Sequence, residues 1–86
     1  METIVRESLE IMLRKVNRDI AVTEARLQRM AIRLGASDWR ELEKVFAGRN
    51  VDNPEVDMLW PEYLYLRERL EELRKRKKDI LAMLAR

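Results

Sequence analysis

From Leu9 to Leu34 the chain repeats Leu9, Leu13, Val16, Ile20, Thr23, Leu27, Met30 and Leu34, at alternating steps of four and three residues. Only Thr23 in that series is polar. A stripe at this spacing lies along one side of a helix, and over more than three heptads it requires a second helix to cover it. With Leu13 as position a, the a residues are Leu13, Ile20, Leu27 and Leu34, and the d residues are Leu9, Val16, Thr23 and Met30. A matching seam closes the chain: Tyr63, Leu70, Lys77 and Leu84 fall at a, and Leu59, Leu66, Leu73 and Ile80 at d.

Punctuation divides the chain into three helices. The first is predicted over about 4–34, with Gly35 able to take the left-handed conformation that ends it. Ser37 and Asp38 are N-cap residues for a short helix over 38–46, with Glu41 placed to close a capping box on Asp38 and Gly48 as its stop. Residues 49–53 read as a loop. Asn53 and Pro54 then suit the cap and first position of a third helix over about 54–86. Pro61 lacks an N–H and crowds the carbonyl four residues back, which predicts a kink or break near 57–61.

Two long helices joined through a short one fold back antiparallel most simply. Aligned seams put residue i opposite residue j with i + j near ~93, so that each a layer meets a d layer. At the flanks this expectation sets Glu24 beside Arg67, Asp19 beside Arg76 and Arg33 beside Glu62, with Arg26 against Arg69 as one like-charge pair. The predicted fold is one all-α domain over residues 1–86.

Such a chain is short of reinforcement. It has 86 residues, no Cys and no His, and a core of that size supplies only about 3–5 kcal/mol. A second apolar stripe on helix one, Ile4, Ile11, Val22, Ala25 and Ile32, lies opposite the seam. A helix apolar on two faces is buried on two sides. The short helix is placed to cover only the end near Ile32, so a second copy is expected on the rest, giving a dimeric helical bundle or a higher oligomer.

Chemistry is poorly served. Without His or Cys, no group activates Ser8, Ser37, Thr3 or Thr23, and no glycine-rich phosphate loop is present. The expectation is a protein that is not an enzyme and needs no cofactor. Asp52, Glu55, Asp57 and Glu62 form an acidic group, but they lack the spacing and glycine of a calcium loop and suit helix starts, so no metal is assigned. No apolar run reaches a membrane span, and the opening Met1-Glu2-Thr3 is unlike a signal peptide, which points to the cytoplasm.

Formal charge is +2 overall. Residues 1–34 carry seven basic and five acidic side chains, 35–60 three and six, and 61–86 eight and five. Trp39, Phe46, Trp60, Tyr63 and Tyr65 gather in or just after the connection. They suit a small core there, and Trp39, Phe46, Trp60 and Tyr65 are candidates for partner binding where exposed. Arg74, Lys75, Arg76 and Lys78, around the seam residue Lys77, support an alternative reading as a nucleic-acid-binding helix.

The layout resembles small antitoxin-type proteins of prokaryotic toxin–antitoxin pairs. The residues that carry the resemblance are Leu34-Gly35, Asp38-Trp39-Arg40-Glu41-Leu42-Glu43 with Phe46, and Trp60 before Tyr63-Leu64. It implies a helical protein that wraps and silences a toxin enzyme, and it assigns no role to individual residues. Taken together, the chain reads as a self-associating helical interaction module.

Overall fold

The computed structural model describes residues 2–48 and 53–86, and every regular element in it is helical. Helix α1 spans Thr3–Arg33. A 3-10 turn at Trp39–Glu41 leads into the short α2, Leu42–Ala47, and α3 spans Pro54–Leu84. The 31-residue α1 and α3 lie along each other, each about 46 Å long at 1.5 Å per residue. The molecule measures 58 × 18 × 17 Å. No described helix is long and apolar enough to cross a membrane.

The punctuation acts largely as the sequence predicts. Gly35 has φ +80°, and the amides of Ala36 and Gly35 donate to the carbonyls of Ala31 (2.8 Å) and Ile32 (3.1 Å). This is the paired closure that a left-handed residue permits at a helix end. Asn53 accepts from the Glu55 amide at 3.1 Å, with Pro54 at the first helical position. Asp38 caps the next turn by accepting from the Arg40 amide at 3.1 Å. The expected capping box does not form, because the Glu41 carboxylate instead accepts from the Ser37 hydroxyl at 3.1 Å. The loop expected at 49–53 falls, apart from Asn53, outside the described residues.

Of the kink or break expected near 57–61, no break forms: α3 runs through Pro61 as one helix. Pro61 and Asp57, whose carbonyl would have received the missing N–H, are both exposed. Water on that side can take the freed carbonyl. Val56 and Leu59 before the proline and Tyr63 and Leu66 after it are all buried, on one continuous stripe.

The seam buries Leu9, Val16, Thr23, Leu27 and Met30 from α1 and Val56, Leu59, Tyr63, Leu66, Leu70, Leu73 and Ile80 from α3. Thr23 keeps its place in this apolar row by donating its hydroxyl to the Asp19 carbonyl at 2.7 Å. Three ion pairs between the long helices join residues whose numbers add to 88: Asp19–Arg69, Arg26–Glu62 and Arg33–Glu55. A fourth on the other flank, Glu24–Arg74, adds to 98. These values straddle 93 symmetrically, as g–g′ and e–e′ pairs do when an antiparallel seam sits at that level.

The flanking partners differ from those expected, because the side chains reach diagonally. The direct pairing sets Arg26 against Arg69. The diagonal gives each a carboxylate, Asp19 for Arg69 and Glu62 for Arg26.

Candidate interaction surfaces

The hairpin has one dressed side and one bare side. On the dressed side Gln28 holds the connection down, accepting from the Trp39 amide at 3.0 Å and donating to the Ser37 carbonyl at 3.2 Å. The short elements then lie across the closed end. Leu42 and Phe46 point inward and are fully buried, and Phe46 stacks on Tyr63 (centroids 4.5 Å apart) and leans on Trp60 (5.3 Å). Phe46 therefore leaves the set of partner-binding candidates: its ring is buried in the core, packed against Tyr63 and Trp60. Trp60 is half-buried against the same cluster, and Tyr65 is 59% exposed.

Trp39 is half-buried and edges a cleft of about 290 Å³ floored by Leu27, Tyr63 and Leu70. The Arg40 and Arg74 guanidinium carbons lie 5.0 and 5.8 Å from its ring centroid. Arg67, on the same rim, reaches Glu43 of α2 at 3.7 Å. Burial pushes the Tyr63 hydroxyl above its ordinary pKa, and Glu43 adds to this against the opposing pull of Arg67. Asp38 is held below the ordinary carboxylate value chiefly by the Arg40 amide.

No described element dresses the other side. Shallow grooves run along it, one lined by Met12, Lys15, Asp19 and Arg76, the next by Asp19, Val22, Arg26 and Tyr65, and a third by Arg26, Arg33 and Glu62. Shared Asp19 and Arg26 make them continuous. Val5, Met12, Met58, Tyr65 and Met83 are all exposed and fall at heptad positions c and g, which face this side.

The second stripe of α1 is equally uncovered. Ile4, Ile11, Val22 and Ile32 are 75, 58, 54 and 66% exposed, and Ala25 is exposed with them. The short helix does not shield Ile32 as expected, because the Gln28 clamp draws the connection to another face of α1. Ile4, Ile11, Ala25 and Ile32 share heptad position f, a line down the outside of the hairpin that Arg18 interrupts.

In the basic run Arg74 pairs with Glu24 at 3.7 Å, whereas Lys75, Arg76 and Lys78 are exposed and have no ion pair among the described residues. Lys77 is partly buried at its seam position. Of the acidic group, Glu55 is bonded to Arg33 and Glu62 to Arg26, Asp57 is exposed, and Asp52 lies outside the described residues. No group of three acidic side chains placed to hold a metal ion occurs among the described residues.

These features define an all-α hairpin of two long helices closed by a short one. Comparison with protein-family models, with curated proteins and with solved structures finds no match to this chain.

Proposed function

We propose that this protein is a non-enzymatic interaction module that self-associates through the outer stripe of α1: Ile4, Ile11, Val22, Ala25 and Ile32. One observation carries the reading: eleven large apolar side chains stand exposed among the described residues. Three of them, Ile4, Ile11 and Ile32, share heptad position f of α1 with Ala25, and Val22 lies at the neighbouring position c. Contiguous apolar surface of this kind marks protein contact sites, while single exposed apolar residues do not. A second copy laid on the stripe would reinforce a core that is small for independent stability.

The antitoxin-like form of this reading adds a protein partner, a toxin enzyme, held by the surface that remains. The layout of the sequence supports it. Trp39, Trp60 and Tyr65 are the aromatic candidates for that contact.

The experiment is sedimentation equilibrium on the wild-type chain and on Ile11→Lys/Val22→Lys. The wild type should be dimeric or larger at micromolar concentration. The double variant should shift toward monomer while its circular dichroism remains mostly helical. A wild-type chain that stays monomeric at the highest soluble concentration would sink the proposal.

A further inference from the structure

With the seam at i + j of 93, residues 14–19 of α1 lie level with 74–79 of α3. This gathers Arg14, Lys15 and Arg18 at the same height as the whole basic run Arg74, Lys75, Arg76, Lys77 and Lys78. Lys15 and Arg76 line one groove, and Arg14, Lys15 and Arg18 line the next around α1. Eight cations thus encircle the hairpin in a band about 7–8 Å tall. Only Asp19 and Asp79 lie within it, so eight cations less two carboxylates give +6 on a chain whose total is +2. The remainder of the molecule is therefore negative, at −4.

These cations are also unspent. Apart from Arg74, none of the eight makes an ion pair or hydrogen bond to another described side chain. Every ion pair joining separate elements among the described residues lies from Asp19 and Arg74 toward the closed end. Like charges held this close repel one another, and only Asp19, Asp79 and the Glu24 partner of Arg74 offset them.

We propose that this belt binds the phosphate backbone of a single-stranded nucleic acid. A phosphodiester strand is flexible enough to follow cations placed around a rod, whereas a flat anionic bilayer meets only one side of them. A duplex, like a bilayer, meets a rod 18 × 17 Å across on one side at a time, whereas a single strand can wrap it. Next to the belt, Arg74 leads into the cleft edged by Trp39, where a base could stack on an aromatic ring beside guanidinium groups. A basic track with an adjoining aromatic platform is the general chemistry of single-strand binding. The belt needs no second copy, so it stands or falls apart from self-association.

The test is fluorescence anisotropy with a short labelled oligothymidylate at about 50 mM salt, where charge neutralisation dominates binding. The wild type should bind. Arg14→Gln/Lys15→Gln, which leaves the 74–78 run intact, should bind about tenfold or more weakly, and its log K against log salt slope should fall by about 1.4. Arg29→Gln/Lys44→Gln removes two cations outside the belt that make no ion pair among the described residues, and should bind within about twofold of wild type. Thermal melts of each variant establish that the helices are intact. The proposal is overturned if the wild type does not bind, or if the two double variants weaken binding equally. It is also overturned if phosphatidylserine vesicles or polyglutamate bind to the belt in place of the oligonucleotide.

Discussion

The closed and open ends of the hairpin are built from the same two helices yet hold together differently. At the closed end ten buried residues from all three helices form one cluster, with three aromatic rings in mutual contact and ion pairs down both flanks. At the open end the buried cluster is Leu9, Val16 and Ile80, helped by partly exposed Leu13, Ile20 and Leu84. No ion pair ties the two helices together there among the described residues. The difference shows where the short helix acts. By crossing only one end, it creates a third layer there and leaves the rest as a bare two-stranded seam, which buries too little to be rigid alone.

The sharpest way to break this comparison is to truncate one core residue at each end. Phe46→Ala removes a fully buried ring that touches two others. It should cost about 3–5 kcal/mol in chemical denaturation, enough to unfold much of the population. Leu9→Ala, in the sparse cluster, should cost no more than about 2 kcal/mol, the low end for such a change. Equal losses at fixed protein concentration would show that the two ends are one cooperative unit of even strength.

A smaller effect is expected at the seam of the open end. Lys77→Leu extends the apolar row and removes a cation from a crowded band, so it should raise stability by about 1 kcal/mol. If mass measurements show the oligomeric state unchanged, the lysine stem packs while its ammonium reaches water. If the states mix, the lysine is a device that fixes the assembly. Lost stability would mean that residue 77 does not sit in the seam at all.

The smallest effect belongs to the cap beside the closed end. Because Asp38 is held below its ordinary pKa in the folded chain, the ionised group adds stability above that ordinary value. This contribution drains away as pH falls through the folded value. Asp38→Ala should thus melt slightly lower than wild type at neutral pH, and the gap should close in strong acid. A gap that persists there would mean that the cap works through packing rather than charge.

Much of this architecture was legible from periodicity and punctuation. The seam residues, the Gly35 turn, the Asn53–Pro54 start and the level of antiparallel pairing follow from spacing and from backbone rules that act locally. What escaped depends on the third dimension. Gln28 sits on a polar face with no sequence mark, and its role exists only because the chain doubles back past it. Glu41 had two nearby partners, and propensity does not choose between them. Pro61 was readable as a breaker, but its cost depends on whether the carbonyl it strands faces water. The run at 74–78 was plain, while Arg14, Lys15 and Arg18 became part of the same feature only once the register placed them beside it. The outer stripe was visible at once, and its exposure fits the proposed contact between copies without identifying that contact.

The molecule's length also changes how its size would be perceived. Its radius of gyration is 16.8 Å, whereas a compact domain of 86 residues would have about 12 Å. A sphere-like protein reaches 16.8 Å only at about 210 residues. In small-angle scattering a lone hairpin therefore shows the radius of gyration of a globular protein more than twice its mass. Two hairpins lying side by side would double the mass and hardly lengthen the particle. For this shape the radius of gyration barely distinguishes one chain from two, and weight does.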